Sequence, residues 1–120
     1  EEFFYQLEGD ITVKIVDNGE HIDIPIREGE IYMLPARTPH SPRRGPNTVG
    51  LVMEVQRREG MKDGFIWYCE KCKNKLHEEY FVMTDIVTQL PKAMNNYYSN
   101  IDLRTCKKCG TVMEPPVLTA

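Results

Sequence analysis

Through its first half the chain alternates short apolar runs with turn residues. Residues 3–7, 11–16, 22–26, 31–34 and 49–55 are rich in β-branched and aromatic side chains, the composition of strands. Between the second and third runs stands Asp17-Asn18-Gly19, where asparagine and glycine tolerate the positive φ angles of a type I′ hairpin, so those two strands are expected to pair antiparallel. Pro25 inside the third run favours an edge strand or a bulge. Several short strands at close spacing predict a mainly β sandwich or barrel, closure removing the edges that invite aggregation.

The pattern changes after residue 56. Residues 57–64, Arg-Arg-Glu-Gly-Met-Lys-Asp-Gly, read as a connection, and a second unit is expected to begin near Phe65, giving segments 1–60 and 61–120. In the second segment a helix is expected over 92–98 with Pro91 at its first turn. There is no internal repeat, and the tail 115–120 is expected to be loose.

Composition narrows the classes. With 120 residues, 41% hydrophobic and 28% charged, the chain can build one modest core and an appendage. No apolar run approaches the roughly 20 residues of a membrane span, and the first residues carry no signal-peptide pattern, so a cytoplasmic protein without a membrane partner is expected. The net charge of −3, with acids and bases interspersed, gives no global field for nucleic acid.

The candidate chemistry starts at Gly29 and runs to Arg44. A short apolar strand enters a proline-punctuated turn that delivers His40, followed by Pro42, Arg43 and Arg44. A histidine in such a loop is, taken alone, an ordinary surface residue. The spacing of Gly29, Pro35 and His40, however, resembles the second motif of the cupin superfamily, with Arg37 at the inner glycine and Arg44 at the terminal asparagine. Glu2 and Gly9 resemble the end of the first cupin motif, whose histidines would lie before residue 1. The resemblance implies a cupin (double-stranded β-helix, jelly-roll) barrel opening mid-motif, with Glu2 and His40 as two of three metal ligands. Two histidines and a carboxylate on one face suit non-haem Fe(II).

A narrower resemblance covers nearly the whole chain. Glu-Glu-Phe-Phe-Tyr-Gln-Leu at 1–7, Arg-Glu-Gly-Glu-Ile at 27–31, Pro-His-Ser-Pro at 39–42, Asn-Thr-Val-Gly-Leu-Val at 47–52, Trp-Tyr-Cys at 67–69 and Arg-Thr-Cys-x-x-Cys at 104–109 are similar to the 3-hydroxyanthranilate 3,4-dioxygenase family. That resemblance implies extradiol cleavage of 3-hydroxyanthranilate by O2 to 2-amino-3-carboxymuconate semialdehyde, in quinolinate and NAD synthesis or aromatic degradation, by a homodimer. It implies Fe(II) held by Glu2, His40 and a histidine upstream of residue 1. It also implies that Arg44 pairs with the substrate carboxylate and that Glu54 lies beside the substrate's amine and hydroxyl, where it can accept a proton. Without the upstream ligand, residues 1–120 alone are expected to bind Fe(II) poorly and turn over little. Arg43 fits a solvated surface residue better, His21 reads as surface and His77 as structural.

All four cysteines fall in two Cys-x-x-Cys pairs, Cys69/Cys72 and Cys106/Cys109. Two such pairs in a reducing compartment point to one tetrahedral four-thiolate site, rubredoxin-like or zinc-ribbon-like, holding Fe or Zn. Such a closed site is structural. The lysines around it, Lys71, Lys73, Lys75, Lys107 and Lys108, leave a second reading open: a non-catalytic cupin-plus-ribbon regulator that binds a small carboxylate or nucleic acid. Glu70, Glu78 and Glu79 dilute that basic patch.

Overall fold

A computed structural model describes residues 1–116, so residues 117–120 of the expected loose tail lie outside it. The chain divides into two compact units, Glu1–Arg57 and a second from Arg58 onward. Among the described residues no helix is long and apolar enough to cross a membrane.

In the first unit, alternation does the building. Strands β1 (Glu2–Glu8), β2 (Ile11–Asp17), β3 (Glu20–Ile26), β4 (Ile31–Leu34), β5 (His40–Arg43) and β6 (Val49–Glu54) form two three-stranded antiparallel sheets, ordered β4-β1-β6 and β3-β2-β5. Phe4 and Leu34 from one sheet meet Ile11, Val13, Ile15 and Ile26 from the other in a common buried core. Successive strand residues point to opposite faces, so the residues on β1 that share the inward face with Phe4 are Glu2 and Gln6. The hairpin between β2 and β3 forms as expected: Asn18 and Gly19 both have positive φ, 49° and 79°, and Asp17 pairs with Glu20. Pro25 lies on an edge strand, where its missing N–H leaves no gap in the ladder.

One expectation fails here. The stretch after Pro39 is not a turn but strand β5, with His40 opposite Ile15 and Pro42 opposite Val13. Pro42 is tolerated because β5 is also an edge strand.

The second unit holds an antiparallel hairpin, β7 (Asp63–Tyr68) and β8 (Lys75–Phe81), followed by helices α1 (Ile86–Tyr98) and α2 (Ile101–Arg104). Tyr97, buried on α1, stacks on Trp67 of β7 with ring centroids 4.6 Å apart, which fixes the helix on the hairpin. His77 stacks on the same indole at 5.6 Å.

Helix α1 starts six residues before the expected 92, with Pro91 inside it. The start is set by Asp85, whose carboxylate accepts from Val87 N at 3.1 Å and from Thr88 Oγ1 at 2.9 Å. Gln89 Oε1 accepts from the backbone N–H groups of Thr84 and Asp85 at 2.7 and 2.8 Å. This cap offsets the single helical hydrogen bond that Pro91 cannot donate. Asp85→Ala is therefore expected to destabilise the second unit by about 1 kcal/mol. Denaturant unfolding followed by Trp67 fluorescence checks it, because Trp67 is the only tryptophan in the chain.

Candidate functional site

In the first unit the sheets bring Glu2 and His40 together. Residues directly paired across a ladder share a face, so His40, paired with buried Ile15, points inward from β5, while Glu2 points inward from β1. His40 Nε2 lies 3.0 Å from Glu2 Oε1 although the residues are 38 apart in sequence. His40 Nδ1 lies 2.9 Å from the carbonyl oxygen of Thr38. A carbonyl can only accept, so Nδ1 carries a proton and donates to it, while Nε2 faces a carboxylate oxygen.

Either a proton on Nε2 or a cation held between the two atoms satisfies a contact of that length. Cis ligands of an ion bound at about 2.1 Å stand roughly 3.0 Å apart, which is the spacing here. Glu54 strengthens the case. It pairs directly with Glu2 across β1 and β6, and like charges directly opposite one another are unfavourable unless something positive lies near. The donor set of imidazole and carboxylates, with the tautomer fixed by a backbone carbonyl, fits a divalent metal.

The loop before His40 carries its own signature. Arg37, at the glycine position of the resembled motif, has φ 61°, the left-handed region that glycine enters without strain. That turn presents the Thr38 carbonyl to the histidine.

Arg44 follows β5 and donates from Nη1 to Gln6 Oε1 at 3.3 Å. Gln6 was not a candidate from sequence, yet it is buried at 1% exposure. The signal was the i, i+2, i+4 series Glu2, Phe4, Gln6, which places a polar residue on the core face. Arg43, by contrast, is exposed, while His21 is half-buried beside the hairpin turn.

In the second unit, Cys69, Cys72, Cys106 and Cys109 place their sulfur atoms within 4.8 Å of one another. Two knuckles of the same build present them. In the first, Cys72 N donates to Cys69 Sγ at 3.4 Å and Lys73 N to Cys69 O at 2.9 Å; in the second, Cys109 N donates to Cys106 Sγ at 3.5 Å and Gly110 N to Cys106 O at 2.8 Å. Lys73 and Gly110 occupy the same place, with φ 67° and 78°. Across the knuckles, Cys69 Sγ is 3.6 Å from Cys109 Sγ, and Cys72 Sγ is 3.5 Å from Cys106 Sγ. Tetrahedral thiolates at about 2.3 Å from one ion sit roughly 3.8 Å apart, so the cluster fits a metal.

The electrostatics agree. The Thr111 hydroxyl and backbone pull the Cys109 thiol down to about 6, and the backbone amides of Cys109 and Lys108 lower Cys106. Cys72 is pushed up to about 11: a backbone hydrogen bond at Asn74 lowers it, but burial and the three neighbouring sulfurs together outweigh that. Four thiolates so close need a cation among them.

Comparison with known proteins gives a consistent picture. A family model described as 3-hydroxyanthranilic acid dioxygenase matches residues 1–98. The chain is 46% identical over 111 residues to a Candida albicans protein, 48% over 113 to one from Yarrowia lipolytica, and 44% over 115 to one from Xanthomonas campestris. Each of these is named 3-hydroxyanthranilate 3,4-dioxygenase. The alignments cover 92%, 92% and 96% of this chain and 65%, 66% and 65% of the relatives, so the chain spans about two thirds of their length.

Proposed function

Because the chain belongs to the 3-hydroxyanthranilic acid dioxygenase family, we propose that it carries the main part of an Fe(II)-dependent site that cleaves 3-hydroxyanthranilate with O2. The observation that carries this reading is the His40 Nε2–Glu2 Oε1 contact of 3.0 Å, with the other ring nitrogen held by a backbone carbonyl. The relatives' names favour an enzyme over a non-catalytic regulator. In this reading the packed sheets belong to a cupin barrel. Glu2 and His40 hold the metal with a histidine upstream of residue 1.

Fe(II), when bound, supplies the chemistry that lets O2 react with an electron-rich aromatic ring. The protein's own groups bind, orient and move a proton. Arg44 forms a bidentate, charge-assisted pair with the substrate carboxylate and so fixes the rotation of the ring. Glu54, on the face it shares with Glu2, accepts the proton of the substrate's hydroxyl oxygen. Both atoms of O2 enter 2-amino-3-carboxymuconate semialdehyde, so no external reductant is needed.

The four-cysteine cluster is, in the same reading, a rubredoxin-like or zinc-ribbon-like site with no open position, holding Fe or Zn structurally. Cysteines used this way suit the cytoplasm. A homodimer fits the outer face of the β4-β1-β6 sheet, where Ile31, Met33 and Met53 are 64%, 59% and 53% exposed.

The intact protein, loaded with Fe(II), is expected to consume 3-hydroxyanthranilate and O2 in equal amounts; no consumption would sink the proposal. Arg44→Ala is expected to weaken 3-hydroxyanthranilate binding on the order of 100-fold, the scale of two charge-assisted hydrogen bonds. Equal weakening of 2-aminophenol, which lacks the carboxylate, contradicts the clamp.

A further inference from the structure

Gln6 is a buried amide whose every polar group is engaged. Its backbone N–H donates to Glu30 O at 3.0 Å and its carbonyl accepts from Gly29 N at 2.7 Å. Its side-chain Nε2 donates to Glu8 O at 2.9 Å, which leaves Oε1 turned to Arg44 Nη1 at 3.3 Å. A carbonyl on one side and a guanidinium on the other allow only that orientation of the amide. The ladder between β1 and β6 slips just beyond Gln6, so that Glu8 pairs with Val49 next to the Gln6–Gly50 pair. Such bulges re-aim neighbouring groups.

Gly50 completes the arrangement. A Cβ built there would stand 2.6 Å from Gln6 Oε1 and 2.7 Å from Arg44 Nη1, both closer than any real contact. Gly50 is not among the positive-φ glycines, so its backbone does not require glycine. A Cβ there would instead push the side-chain ends of Gln6 and Arg44 aside. The amide and the guanidinium occupy the volume that a side chain at position 50 would take.

From these contacts we infer that Gln6 is a positioning residue that sets the Arg44 guanidinium for an aromatic carboxylate, with Gly50 leaving room for the pair. The inference rests on the reading of Arg44 given above. A guanidinium has five N–H donors, and Gln6 occupies one while leaving the rest for a bidentate partner. The amide is neutral. It therefore orients Arg44 without cancelling the charge that attracts a carboxylate, which a glutamate in its place would do.

The test measures binding of 3-hydroxyanthranilate and of 2-aminophenol to the intact iron-loaded protein without O2. Gln6→Met keeps the volume and removes both side-chain hydrogen bonds; Gly50→Ala keeps both groups but takes their space. Each is expected to lower the affinity ratio of 3-hydroxyanthranilate to 2-aminophenol about tenfold, the scale of one hydrogen bond to a charged group. In an Arg44→Ala background, Gln6→Met is expected to leave that ratio unchanged. A merely structural Gln6 would weaken both ligands alike, and that result overturns the inference, as does an unchanged ratio in Gly50→Ala. If Arg44→Ala lowers the ratio and neither other variant does, the positioning role fails while the clamp stands. If Arg44→Ala itself leaves the ratio unchanged, the clamp fails and the positioning role falls with it.

Discussion

Cys106→Ser is expected to remove one equivalent of thiolate-bound metal and to unfold much of the second unit, with Trp67 emission moving to the red. Small domains draw roughly 10–16 kcal/mol of apparent binding free energy from a structural thiolate site, more than a domain this small holds in its core. The packing of this unit supports the dependence: beside buried Ala93 and Tyr97 on α1, its buried cluster among the described residues is Cys69, Cys106 and Met113, with Cys72 and Leu76 packed against it. Two of its three buried members are ligands. Trp67 lies two residues before Cys69, on the strand that leads into the first knuckle, and stacks on Tyr97, so loss of the metal is read by the same indole. A strong chelator should reproduce the effect in the unmutated protein. Unchanged metal content and emission in Cys106→Ser would show that the cluster is not a metal site.

How much of this was legible depends on which forces acted locally. The Asn18-Gly19 hairpin and the two knuckles were readable because a few neighbouring residues determine each one. Strand β5 was not, since Pro39 and Pro42 argue for a turn; only its place at a sheet edge, set by pairing with residues 12–15, makes a proline-bearing strand possible. The β7–β8 hairpin also escaped notice. Its turn is built by Cys69 and Lys73 and not by a common turn dipeptide, and Glu78 and Glu79 blur its alternation. Helix α1 shows propensity losing to capping, with Asp85 and Gln89 setting a start before the one that Pro91 signals. At the site, the proposed ligand positions 2 and 40 were pointed to by motif spacing, whereas the alternation of β1 gives Gln6 a face and only the folded pairing with Gly50 gives it a neighbour.

His40→Ala carries the second large expectation. If the proposed reading holds, the intact protein with this substitution is expected to lose Fe(II) binding at the first unit and ring cleavage together, while thiolate-bound metal remains. The reasoning does not depend on activity alone. Glu2 and Glu54 stand directly opposite each other across β1 and β6, with the His40 imidazole 3.0 Å from Glu2, so a cation bound there should stabilise the ends of those strands. Added Fe(II) at 100 times its dissociation constant would contribute about 2.7 kcal/mol to the native state. Hydrogen exchange should register this as slower exchange in β1, β5 and β6 on adding Fe(II), a slowing that His40→Ala abolishes. The second unit serves as the internal control, because its exchange should not respond to the substitution. If His40→Ala keeps both the iron and the Fe(II)-dependent protection, then the 3.0 Å contact with Glu2 is an ordinary ion pair and the ligand assignment is wrong. If it loses both while Trp67 emission stays in place, the imidazole and carboxylate act as a metal pair independent of the cysteine cluster.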